Sequence, residues 1–447
     1  EDDSCLDDAS YSGALPTYRC NWGTILVVGL GLGGGDYNVY PDGTIASETL
    51  LSSSYIIFDV TNPELPPKLI AEVTQGDMGF TTVDFDVAKY RKDKNGAYVE
   101  TSNTSNKALN KWYLALGSGP SGSKGHTDVV SDQVANLFMF DLREKTMSTR
   151  STGLTNSFMG GVNVMDWERN YIDEMLYFGS VSGTPNLPTG SLQRQYLNWS
   201  GTGAFSWGGN EAILTDVNKA FSVTPLTVLD SDNARWVVAG TGRLLSTEDM
   251  KHQSNGEKVF AIKEAFSVGT SYSSIASTAL ANLTNVSSTV NGTDAISDKT
   301  NTGSTSVALG PGGTVSTESE LANAIKGVPG WRFDLPDGER NHITSVMRGS
   351  TLLFASYNPE VGDTCDVGDS YIYSRNLSTG VPFHFTHYGT NMQDSGEGDG
   401  KVKLNDVLLL KLHPDEIADS GGGESSLGIG VTVAEDKRQS WREVPER

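Results

Sequence analysis

Short apolar runs recur along this chain, and each stops at a turn residue before it could make two turns of helix. Thr24 to Gly29, Tyr55 to Val60, Trp112 to Gly117, Asn136 to Leu142 and Met175 to Gly179 are the first of them. Trp236 to Gly242, Lys258 to Ile262, Thr351 to Ser356 and Ser370 to Ser374 follow. Runs of this length, rich in Val, Ile, Leu, Phe and Tyr and bounded by Gly, Asp and Pro, read as β-strands. Some end in a small-residue turn, as at Gly117-Ser-Gly and Gly240-Thr-Gly. Others end in an aromatic plus Asp, as at Phe58-Asp59 and Phe140-Asp141. That alternation is the grammar of propeller blades, four-stranded sheets that bury their faces only by stacking on neighbours. About five such units are expected by this reading of repeats, with a two-sheet sandwich as the rival.

Composition agrees with an all-β chain. Gly numbers 50 in 447 residues, charged residues are 20%, and Ala/Leu/Glu/Lys-rich helical runs are nearly absent. The net charge of −22 argues against nucleic acid, whose phosphates want Lys and Arg patches, and against an anionic membrane surface. No apolar stretch approaches the roughly 20 residues a spanning helix needs. Three cysteines occur, Cys5, Cys20 and Cys365. Cys5 and Cys20 can close residues 1–20 as a small loop, a bridge worth roughly 3 kcal/mol in the chain-entropy model. Cys365 is then left over, and no Cys/His zinc spacing exists. The chain opens on Glu1 without Met, as a processed product would.

Residues 265–325 differ from the rest. Ser, Thr, Asn, Ala and Gly dominate, which suggests a low-complexity insertion or long loop without a dense core of its own. Asn282-Leu-Thr and Asn291-Gly-Thr are formal glycosylation sequons, of a kind that arises by chance in such a stretch.

Taken together, the strands resemble the C-terminal β-propeller of the PilY/PilC family, proteins of bacterial type IV pilus tips. Asn21 to Gly35 looks like its tryptophan-led strand and glycine-rich turn, and Tyr55 to Pro63 like its Asp-Val-Thr-Asp-Pro segment. Lys111 to Pro120 and Val238 to Arg243 match its Gly-Ser-Gly and Gly-Thr-Gly-Arg strand ends. Gly330 to Arg340 leads on to Tyr357-Asn-Pro and Cys365, and Ser440 to Glu443 stands where the family ends. The order is kept over 21–443, with 265–325 unmatched. The resemblance implies a quinoprotein-like propeller and a non-enzymatic, extracellular protein of the pilus tip or outer cell surface. It implies pilus components such as minor pilins as partners, and adhesion to a host, mineral or abiotic surface. The family's opening blade strands have no counterpart here. The chain therefore reads as a propeller lacking its first strands, completed by a second polypeptide.

The resemblance also implies calcium. Family members carry an Asp-x-Asn-x-Asp-Gly-x-x-Asp loop before a strand, and the matching place here is Asp166 to Asp173, followed by Tyr177 to Gly183. Asp166, Glu168, Asn170 and Asp173 take the ligand positions, with a backbone carbonyl near Tyr171 or Ile172. Oxygens packed on a tight loop are what Ca²⁺ needs. Read this way, the loop is one residue short and Tyr171 stands where glycine makes the turn. A second acidic loop, Asp394 to Leu410, places Glu397, Asp399 and Asp406 like ligands of an EF-hand or dockerin loop, with a helix leaving from Val407. Its plainer reading is a hairpin tip turning at Asp399-Gly400.

Other signals carry less. Gly29 to Gly35 lacks the helix a dinucleotide loop requires. His384 and His387 lie three apart, on opposite faces of a strand. No Gly-x-Ser-x-Gly elbow is present. Two alternatives compete with the pilus reading. A quinoprotein-like dehydrogenase would share the architecture, although no Cys-Cys pair exists to sit over a quinone. A carbohydrate- or cohesin-binding module would be told apart by a glycan array and a cohesin pulldown.

Overall fold

A computed structural model describes residues 23–33, 53–91, 111–201, 203–251, 253–254, 256–264, 274–288, 294–301, 303–359, 368–383, 392–394, 399–404, 408–413 and 430–434. Cys5, Cys20, Cys365, His384, His387, Glu397 and Asp406 lie outside them. The chain divides into two compact units. The first is Glu1–Thr227 with Gly242–Asp249 and Glu264–Ser277; the second is Val228–Thr241 with Met250–Lys263 and Thr278–Arg447.

The first unit is a succession of antiparallel sheets. Ile25–Gly29, Tyr55–Asp59 and Lys68–Val73 make a three-stranded sheet. Asp86–Tyr90, Lys111–Gly117, Asn136–Asp141 and Met147–Ser151 make a four-stranded meander. Ser157–Met165, Met175–Thr184, Leu187–Thr189, Leu192–Trp199 and Phe205–Ala212 make a five-stranded sheet. Stacking explains why the central strands are apolar throughout instead of alternating. Along Lys111–Gly117, Leu114 and Leu116 pack with Tyr55, Ile57 and Val73 of the first sheet. Tyr113 and Ala115, one residue out of phase, pack with Met159, Leu176 and Phe178 of the third. A strand covered on both faces needs no polar side.

The strand endings read from the sequence have defined jobs. The Asp141 carboxylate accepts the Arg143 and Glu144 amides at 2.9 Å, closing the turn after its strand. Asp59 does the same for the Thr61 amide. At Gly117-Ser-Gly, the Ser118 hydroxyl accepts the Asn136 amide at 2.8 Å while its own amide reaches the Asn136 carbonyl. In the second unit the Thr241 hydroxyl accepts the Lys258 amide in the same way, also at 2.8 Å. Gly119 is required by crowding: a Cβ there would stand 1.7 Å from the Phe80 carbonyl oxygen.

The second unit holds two five-stranded sheets. One orders residues 228–229, the part of the strand Leu226–Leu229 that falls in this unit, with Arg235–Gly240, Lys258–Lys263, Gly330–Asp334 and Ala281–Asn282, the last pair joining in parallel. The other orders Val346–Arg348, Thr351–Asn358, Asp369–Asn376, Lys401–Leu404 and Met392–Asp394. Phe333 of one meets Phe354 and Tyr373 of the other, with ring centroids 5.7 and 5.1 Å away. Between them Glu339 is a buried hub, accepting from the Tyr373 hydroxyl at 2.6 Å, Lys401 Nζ at 2.8 Å, and the Ser356 hydroxyl.

The Ser/Thr/Asn-rich stretch contributes more packing than its composition suggests. Val286–Ser288 pairs with Ile296–Asp298, and Val307–Ala308 with Thr314–Val315. A helix, Glu318–Lys326, is capped by the Thr317 hydroxyl accepting the Glu320 amide. Leu283, Val286, Leu309, Leu321 and Ile325 are buried. Apolar residues spaced singly among hydroxyl residues leave little periodicity for a sequence reading to catch, yet these five find cover. Asn282, the first sequon residue, folds its side-chain oxygen back onto the Thr284 amide at 3.0 Å.

Candidate metal centre

The loop between Ser157–Met165 and Met175–Thr184 is organised around Asp166. Its two carboxylate oxygens accept the Asn170 amide at 3.0 Å and the Tyr171 amide at 2.7 Å. The Asn170 side-chain oxygen accepts the Ile172 amide at 2.9 Å, and its amide nitrogen donates to Glu168 at 3.0 Å. Tyr171 stands in the left-handed region, φ 66°, where glycine would be at ease. The turn is therefore made without glycine, at a steric cost the surrounding hydrogen bonds offset.

Asp166, Glu168 and Asn170 are tied into one hydrogen-bonded turn, and Asp173, close enough to feel the Asp166 charge, is engaged by Lys89. Its carboxylate accepts the Lys89 amide at 2.6 Å and pairs with Lys89 Nζ at 3.2 Å. Burial pushes the Asp173 carboxyl up to about 6, against the pull of that lysine. Chain direction is the reason: the Asp173 amide bonds the Lys89 carbonyl, so its side chain belongs to the neighbouring strand.

Glu174, ninth counting from Asp166, is the carboxylate that turns back onto the loop. One Glu174 oxygen accepts the Trp167 amide at 3.1 Å, while Oε1 is buried with no hydrogen-bond partner. Burial, and then repulsion from Asp166 and Glu168, push its carboxyl up to about 8. The Tyr171 carbonyl is taken by the Arg91 amide, which leaves that of Ile172 as the loop's backbone oxygen. The signal for Glu174 was in the sequence as spacing and was hidden by the neighbouring Asp173. Among the described residues no three His, Cys, Asp or Glu side chains stand as a ready metal cage. The orphaned Glu174 oxygen and the mutual repulsion of these carboxylates nevertheless fit a hard cation.

Behind the loop lies a buried relay. Trp167 Nε1 donates to the Tyr177 hydroxyl at 2.8 Å, which meets Glu264 at 3.2 Å, and Glu264 pairs with Arg194 at 2.7 Å. The Trp199 indole donates to the Asp173 carbonyl at 2.6 Å. These contacts fix the loop's floor.

The second acidic loop is differently used. Asp399 is buried, pairs with Lys299 at 3.2 Å and accepts the Lys401 amide at 3.1 Å. Gly400 takes φ 70°, and Met392–Asp394 pairs antiparallel with Lys401–Leu404. The expected exiting helix is instead a strand, Leu408–His413. A carboxylate already neutralised by lysine has little left to offer a cation.

The fold is all-β and propeller-like, and a solved structure of the same kind exists. The crystal structure of the Pseudomonas aeruginosa PilY1 C-terminal domain superposes with a TM-score of 0.53 at 15% identity, covering 87% of this chain and 77% of that one. No family model matches the chain, and no curated protein sequence matches it either. No helix among the described residues is long and apolar enough to cross a membrane.

Proposed function

We propose that this chain is a non-enzymatic, extracellular component of a type IV pilus, acting at the tip as an adhesin or as a factor in pilus biogenesis. The observation that carries the reading is the fold shared with the PilY1 C-terminal domain over most of this chain. The acidic composition and the strand endings that resemble that family support it. Minor pilins are the expected partners, and a host, mineral or abiotic surface the expected target. The test is immunogold labelling together with sheared-pilus fractionation in the cell that makes the protein. Label at pilus tips, and loss of adhesion or piliation on deletion, are expected. Protein that never co-fractionates with pili, in cells with unchanged piliation, overturns the reading.

We further propose that the Asp166 loop holds Ca²⁺ through Asp166, Glu168, Asn170, the Ile172 carbonyl and Glu174. The ion would supply positive charge where carboxylates now repel. Calorimetric titration should give a one-site isotherm that Glu174→Gln abolishes and Asp173→Asn keeps. Equal heats in wild type and Glu174→Gln would remove the loop from the account.

A further inference from the structure

The three-stranded sheet of the first unit is finished on one side and open on the other. Of the ten large hydrophobic side chains exposed among the described residues, six lie on or beside it: Ile25, Leu26, Val28, Leu30, Leu65 and Leu69. They are not scattered. The register sets Leu26 opposite Phe58, and Phe58 opposite Leu69; Val28 stands opposite Ile56. With Leu30 these residues form one apolar face. Leu26 is 46% exposed, Val28 39% and Leu69 57%. The opposite face, carrying Val27 and Ile57, is packed on the four-stranded meander.

Among the described residues the edge of the same sheet is unpaired along Ile25–Gly29, and just beyond it Gly31 bridges Thr81. The Thr24 carbonyl accepts the Val60 amide at 2.9 Å and the Leu30 amide donates to Ser54 at 3.1 Å. Hydrogen bonding alternates along an antiparallel strand, so Thr24, Leu26, Val28 and Leu30 face Tyr55–Asp59. Ile25, Val27 and Gly29 therefore direct their N–H and C=O groups outward, where no described strand pairs with them. An open ladder beside an apolar face is a template for strand addition. A helix or a lipid surface would leave the ladder unpaired; an extended segment pairs it and continues the apolar row of Leu26 and Val28.

We propose that Ile25–Gly29 is a docking edge for an extended segment of a separate polypeptide, which adds a strand and sets alternate apolar side chains beside Leu26 and Val28. Charge narrows the occupant. A second copy would bring another −22 to the contact. The rim carries Asp59, Glu64 and Glu72 against Lys68, so the segment is neutral or basic at its ends. The proposal rests on the pilus-associated reading for the source of that polypeptide. Its test uses no pili, so either can fail alone.

The experiment has two arms on the purified chain. Hydrogen exchange should find the Ile25, Val27 and Gly29 amides fast while Leu26 and Val28 are protected. Slow exchange at the three outward amides of a monomer would mean that this chain already covers its own edge. A dimer by light scattering whose outward amides are slow would make a second copy the occupant. Either result overturns the proposal. In the second arm, a fluorescent peptide of alternating Thr and Val with lysine at both ends is titrated by anisotropy. Saturable binding is expected, weakened about tenfold or more by Leu26→Glu/Val28→Glu and by Ile25→Pro, since charge on the face and proline on the edge both block pairing. Leu187→Glu, at an exposed leucine elsewhere, should leave binding unchanged. No saturation, or equal binding by all variants, overturns the proposal. The glutamate variant alters only exposed side chains and keeps the test valid should the proline variant fail to fold.

Discussion

The sheet at residues 25–73 and the sheet at 346–404 have similarly apolar strands and opposite fates. Thr351–Asn358 is buried along nearly its whole length, whereas Ile25–Gly29 is exposed at four of five positions. Hydrophobic sequence therefore says that a strand wants cover, not that it has it. Two carboxylates make the same contrast. Glu339, beside the covered sheet, accepts from three side chains. Glu174, in the Asp166 loop, has an oxygen with no donor at all.

The comparison can be broken first at its buried side. Phe354→Ala should cost about 3–5 kcal/mol in chemical denaturation, because its ring packs on Phe333 and stacks on Tyr373 with no room to collapse. A loss below 1 kcal/mol would mean that this sheet is as loosely covered as the first. Glu339→Ala should cost about 3 kcal/mol, since it strands the Lys401 ammonium and the Tyr373 and Ser356 hydroxyls in a buried site. A near-neutral result would show that water reaches the hub.

Smaller effects sharpen the exposed side. Ca²⁺ at a hundredfold excess over Kd should stabilise the wild type by about 2.7 kcal/mol and Glu174→Gln by much less, read as a shift in denaturation midpoint. A midpoint that moves equally in both would place the ion elsewhere. Leu26→Ala should change stability by less than about 0.5 kcal/mol, as for an exposed side chain with little to lose. A cost near that of Phe354→Ala would mean that the outer face is already covered in the isolated chain.

Much of this was legible beforehand. The strands from Tyr55, Trp112, Asn136 and Trp236 stand where apolar runs end in Gly or Asp, because those endings are local chemistry: Asp141 and Ser118 each satisfy nearby amides. The acidic loop was visible for the same reason. What escaped was set by partners distant in sequence. Asp173 looks like a ligand until Lys89, 84 residues away, claims it. Asp399 looks like one until Lys299 does. Ala281–Asn282 joins Gly330–Asp334 in parallel across a stretch with no strand periodicity. Glu339 and Glu264 gave no hint of their buried partners, since an isolated glutamate in a sequence reads as surface.

Two tryptophans sit against the loop, Trp167 inside it and Trp199 bonded to the main chain at Asp173. The protein thus carries an intrinsic optical reporter beside the carboxylates of the Asp166 loop. A change in emission wavelength or quenching would register any rearrangement there without a label, in dilute sample and on a millisecond scale.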